Sequence, residues 1–164
     1  MPLIVWTDQM SVGVKLLDND HKRLVLIVNQ LHDGLMSGRA KPALEYAFNG
    51  LIQHVRAHHA QEEQILAEIG YHNSELHKQE HDQLVGEIME LQTQFINCEQ
   101  LAEELELMRQ LRGWFFKHIQ NSDRDLVAHL RAHDVNAMLA TRKTLGGRAW
   151  NLPANEPRMA QGVW

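Results

Sequence analysis

The chain has 164 residues, with 21 acidic side chains against 16 lysines and arginines and a formal net charge of −5. That length suits one domain with a buried core, and the interspersed charges form neither a basic stripe for nucleic acid nor a polybasic patch for membrane insertion. One cysteine, Cys98, excludes an intramolecular disulfide and a thiolate metal cage, whereas 11 histidines supply nitrogen donors.

Taken in chain order, residues 1–17 lack helical period and read as an extended arm, with Trp6 packed against the rest. Asp18 caps a first helix over about 19–37, which stops near Gly38. Pro42 suits the first turn of a second helix, about 42–69, ended by Gly70. Asn73 or Ser74 caps a third, about 74–96, and Glu99, Glu103 and Glu104 favour the start of a fourth, about 99–121. Short connections make neighbours antiparallel, so the expected fold is all-α, an up-down four-helix bundle over residues 1–123. Residues 124–143 suit an additional helix, and 144–164, rich in Gly, Pro and Asn, a mobile tail. Trp150 and Trp164 in that tail either dock on a partner or stay undocked. The longest apolar run near the N-terminus, Leu24 to Val28, is too short for a signal peptide or a membrane span, so a cytoplasmic protein is expected.

The apolar stripes of these helices contain residues that do not belong in a core. Leu44, Phe48, Leu51, Val55, His58, Glu62, Ile65 and Ile69 recur at steps of three and four, the stripe of a core-facing helix. His21 leads the stripe Leu24, Val28, Leu31 and Leu35; His77 and His81 lead Leu84, Ile88, Leu91 and Phe95. The last face ends on Phe115 and His118, with Asp123 just beyond. Burying a polar group without a partner costs about 2–7 kcal/mol, and a charge more, so four helices committing core positions this way point to a shared metal centre. Imidazole and carboxylate donors suit iron, manganese, zinc or copper. Seven donors exceed the needs of one ion, whereas two ions bridged by carboxylates would use them all. Neither Glu-x-x-His nor His-Glu-x-x-His occurs, which leaves a histidine-rich binuclear site.

Five elements at this point resemble the bacterial hemerythrins: Trp6, the stretch GVKLLDNDH from Gly13, HHAQEE from His58, HKQEH from His77, and WFFKHIQNSD from Trp114. Each alone is weak, but together they span roughly residues 5–125 in family order and spacing. The resemblance implies two iron ions with an oxo or hydroxo bridge. His77, His81 and His118 would hold one iron, His21 and His58 the other, and Glu62 and Asp123 would bridge both. It implies reversible O2 binding for carriage, storage or delivery rather than catalysis, with O2 held as hydroperoxide on the five-coordinate iron. Leu24, Trp114, Phe115 and Ile119 would wall a dry O2 pocket.

The chain departs from the family pattern at His59, where phenylalanine is usual, and at Phe115, where leucine is common. His59 either faces the pocket, speeding autoxidation or conferring reactivity toward peroxide or NO, or turns to the helix flank and meets water. His54 reads as a packed residue or one that orients a ligand. His129 and His133 read as a solvated face, His32 and His72 as surface or loop residues. The competing functions are a peroxide- or NO-scavenging di-iron enzyme and an O2 or redox sensor acting through the C-terminal extension; an Fe–S repair role lacks its cysteine-bearing region. An O2-accepting protein partner is not identifiable from sequence.

Overall fold

Apolar side chains spaced three and four residues apart give each long helix one buried face. The computed structural model, described here for residues 1–119 and 123–144, joins those faces around one interior. The helices are α1 (Lys15–Met36), α2 (Lys41–Glu68), α3 (Ser74–Asn97), α4 (Leu101–Lys117), α5 (Asp123–Ala132) and α6 (Val135–Thr144). Helix α2 packs on α1 and α3, and α4 packs on α3 and α1, so the four long helices close a ring. Connections 37–40, 69–73 and 98–100 are too short to run back along a helix, which makes successive neighbours antiparallel. Among the described residues there is no strand, and no helix is long and apolar enough to cross a membrane.

Local chemistry sets the ends of the helices. Pro42 lies in the first turn of α2, where a missing N–H costs nothing. Gly70 ends that helix with φ +65°, a left-handed conformation that glycine adopts without a Cβ clash, and the Tyr71 N–H then donates to the Leu66 carbonyl. The start of α1 differs from expectation. Helix begins at Lys15, four residues early, because Asp18 does not cap it. Its carboxylate instead accepts from the Val12 N–H at 2.8 Å and the Ser11 hydroxyl at 2.7 Å, tying the arm to the first turn. The arm is not fully extended either: Asp8–Met10 form one 3-10 turn, and Ile4, Met10, Val12 and Val14 are buried. Half-buried Trp6 packs against the core, as its isolated position in the arm suggests.

At the C-terminal side, α4 stops at Lys117, earlier than about 121, and His118 and Ile119 continue in a wider turn. The single helix expected over 124–143 is two, broken at Asp134, whose φ is +43°. Of the tail expected over 144–164, Thr144 instead ends α6, and 145–164, with Trp150 and Trp164, lies outside the described residues.

Two apolar clusters result. The larger runs through the bundle around Phe48 and Phe95, whose rings are 5.1 Å apart. The smaller caps one end: Leu126, Leu130 and Val135 of α5 and α6 cover Val12, Val14 and Leu17 of the arm and α1, with Ile65, Leu66 and Tyr71. Asn136 adds a clasp, its amide N–H donating to the Gly13 carbonyl and its oxygen accepting from the Lys15 N–H.

Replacing Asp18 by alanine removes two hydrogen bonds to a carboxylate and is expected to cost about 2 kcal/mol of stability, read from the denaturant midpoint at unchanged slope.

Candidate metal centre

Positions four apart on a helix stack one turn above the other, so α2 directs His58 and Glu62, and α3 directs His77 and His81, toward one level of the bundle. α1 contributes His21, the turn after α4 contributes His118, and the first residue of α5 is Asp123. All seven are buried, with Glu62, Asp123 and His21 at 0% exposure.

Asp123 lies between two histidine groups. Its Oδ2 is 3.2 Å from His21 Nε2, and its Oδ1 is 3.2 Å from His118 Nε2. Glu62 Oε2 is 3.3 Å from His81 Nε2, 3.4 Å from His77 Nε2 and 4.0 Å from His58 Nε2. His21 and His58 meet Nε2 to Nε2 at 3.0 Å. Several of these atoms converge without bonding: His81 Nε2, His118 Nε2, Glu62 Oε1 and both Asp123 oxygens are buried without a hydrogen-bond partner. Donors held at about 2.1 Å from one ion, at right angles, stand about 3 Å apart. Close approach at angles that make no hydrogen bond is therefore what the coordination sphere of a metal requires.

Two sets of four donors lie mutually within 4.8 Å: His58, Glu62, His118 and Asp123; and Glu62, His77, His81 and Asp123. Both carboxylates belong to both sets. A third set joins His59, His81 and His118. His59 and His81 are stacked at 3.7 Å with planes 3° apart, so their lone pairs lie in parallel planes that one ion cannot share.

Electrostatics agrees with a compensating cation. Burial pushes the Asp123 carboxyl up to about 6, with the Glu62 charge adding to the effect. Burial also acts to raise Glu62, but the close imidazoles of His77 and His81, with that of His58, hold it well below the ordinary carboxylate range. Burial lowers His21, and pushes His118 down to about 4, favouring the neutral imidazoles that metals bind. For His81, burial acts downward but is outweighed by Glu62 and Glu63, which raise it.

The expected pocket residues come together as well. Leu24, His59, Trp114, Phe115 and Ile119 line one cavity of ≈ 20 Å³ with His21, His58 and His118. Its wall is almost wholly apolar. A helix-flank position for His59 in contact with water is overturned: the ring is 4% exposed, because its α2 face turns inward beside His58. Burial, then the neighbouring imidazoles of His81, His58 and His118, lowers its pKa strongly. His129 also departs from a fully solvated face, its ring lying 4.9 Å from that of Tyr71. His133 and His72 are exposed. Half-buried His32 stands 3.7 Å from Asp33, and burial lowers the pKa of half-buried His54.

Sequence reasoning missed the carboxylates behind the ligand rings. Glu63 accepts from His81 Nδ1 at 3.0 Å, and Asp20 stands 3.7 Å from His58 Nδ1. The only signal for Glu63 was its place beside Glu62; pairing it with His81 requires the register between α2 and α3.

The Hemerythrin HHE cation binding domain model matches residues 12–130. A Bacteriohemerythrin of Pseudomonas aeruginosa is 31% identical over 147 residues, covering 90% of this chain and 93% of that protein. One from Methylococcus capsulatus is 32% identical over 125 residues, covering 76% and 94%. A crystal structure of wild-type hemerythrin superposes with a TM-score of 0.67 at 30% identity, covering 78% of this chain and 98% of that one.

Glu63→Ala removes the acceptor that orients His81 and is expected to weaken divalent-metal binding about tenfold. Calorimetric titration checks this, and the metal-free protein should keep its Tm within about 2 °C.

Proposed function

Because this chain belongs to the hemerythrin family, we propose that it binds O2 reversibly at two iron ions held by the seven buried donors. His77, His81 and His118 would hold one ion, His21 and His58 the other, and Glu62 and Asp123 would be shared between them. The observation that carries this reading is the sharing of both carboxylates between two donor sets in the interior. Donor counting then distinguishes the ions. Three imidazoles, two carboxylates and one solvent ligand would complete six positions around one, whereas two imidazoles would leave the other one short. The cavity touches both His21 and His58 but, of the three imidazoles assigned to the other ion, only His118, which supports an open position on the His21 and His58 side.

Bound there, two ferrous ions would supply the two electrons on which reversible O2 uptake draws. The chain's own contribution is to select and protect. Leu24, Phe115 and Ile119 exclude water and stray protons, and ≈ 20 Å³ is little more than the roughly 10–15 Å³ one water requires. A single small molecule fits. Glu63, hydrogen-bonded to His81 Nδ1, fixes the plane of His81, and the Asp20 carboxylate stands 3.7 Å behind His58. A cytoplasmic setting belongs to the same proposal, since nitrogen and oxygen donors need no oxidising compartment.

The buried His59 ring in the cavity wall favours a second reading, consumption of peroxide or NO. An anaerobic O2 titration of the reduced, iron-loaded protein decides between them. Reversible binding predicts an absorption band that saturates at one O2 per two irons and disappears on return to anaerobic gas. Direct conversion to a stable diferric spectrum, with steady turnover of peroxide or NO, would favour the enzyme instead.

A further inference from the structure

Three histidines outside the interior centre lie where α5 packs beside the turn after α2. We propose that His72, His129 and His133 form a second metal site, for a divalent ion such as zinc, which clamps α5 to that turn. His129 stands on α5 and His72 in the turn, with ring centroids 5.4 Å apart. Two imidazoles bound to one tetrahedral ion, each nitrogen about 2.0–2.1 Å from it, hold their centroids about 5 Å apart. The buried Tyr71 ring meets His129 edge-on at 4.9 Å and so fixes that imidazole against the bundle. His129 Nδ1 is buried and has no hydrogen-bond partner among the described residues, a cost that a bound ion removes.

His133 follows His129 by one helical turn and therefore lies on the same side of the chain. Its Nδ1–H donates to the His129 carbonyl at 2.9 Å, which leaves Nε2 with the lone pair that a metal binds. The three nitrogens converge once His72 and His133, both exposed, rotate toward the fixed His129. Helix α5 ends at Ala132, so the negative end of its dipole also favours a cation there. A donor set made of imidazoles selects zinc, copper or nickel over magnesium or calcium. The same helix opens on Asp123, so an ion at its far end would steady the element that carries one carboxylate of the interior centre. The site itself does not depend on which ions that centre holds.

The test titrates zinc calorimetrically into the iron-loaded full chain, whose interior donors are then occupied, with iron content measured before and after. Uptake of about one zinc per chain is expected. His72→Gln and His133→Gln, both at exposed positions, are each expected to weaken zinc binding at least about tenfold, since losing even an outer partner of a ligand costs that much. His32→Gln, on α1, is expected to leave it unchanged. Hydrogen exchange at the α5 amides should slow on zinc addition in the wild type and not in the His72 and His133 variants. Equal zinc affinity in the wild type and these two variants overturns the proposal, as does a wild type that takes up no zinc. Zinc uptake matched by iron release also overturns it, because the ion then sits in the interior. Zinc bound without slower exchange in α5 overturns the clamp. A chain that holds no iron contradicts the di-iron reading instead, and loss of one zinc equivalent in His133→Gln then still decides this site.

Discussion

Two carboxylates and five imidazoles occupy the interior of one helical bundle, and the rest of the structure is arranged around that burial. Glu62 and Asp123 have no access to water, and Asp123 has no hydrogen-bond partner among the described residues. Left alone, such groups oppose folding, because a buried charge costs several kcal/mol even after relaxation. A cation shared between them reverses the sign of that cost. A metal held there would therefore couple its binding to folding. The surrounding devices follow from it: helix positions four apart that stack donors, carboxylates behind the rings, and a terminal helix that begins on a nominated ligand.

The layout explains why the arm and the C-terminal helices matter to the centre. His21 lies within the first two turns of α1, whose start is held by Asp18 and by Asn136 from α6. Asp123 opens α5, whose apolar face with α6 covers Val12, Val14 and Leu66. The same end of the bundle therefore holds the metal donors and the second apolar cluster. The opposite end is secured differently: Lys41 reaches the Phe95 carbonyl and pairs with the buried Glu104 carboxylate.

Much of this was legible in sequence because it depends on periodicity. The stripes that carry His58 and Glu62, or begin on His77 and His81, identify core faces and place polar residues within them; most of these positions are buried, with Ile69 and Leu84 half-buried. Boundaries were less legible where a side chain had two possible partners. Asp18 reads as a cap, yet it bonds back to Val12 and Ser11, so helix starts earlier. The break at Asp134 gave no signal, since aspartate at positive φ is unusual but sterically allowed. Contacts between helices were not legible at all. The pairing of Glu63 with His81, and the stack of His59 on the same ring, depend on how α2 and α3 are turned and staggered. His59 lies one residue from a ligand, about 100° around the helix. Sequence alone does not say whether that rotation leads to the core or to water.

The central claim is that Glu62 and Asp123 share two metal ions. Anomalous scattering at the iron edge from crystals of the iron-loaded protein tests it most directly. The account predicts two iron positions about 3.5 Å apart. Each should lie within bonding distance of one oxygen of Glu62 and one of Asp123, with His21 and His58 on one ion and His77, His81 and His118 on the other. A single iron peak, or two that leave Asp123 bound to neither, would contradict it.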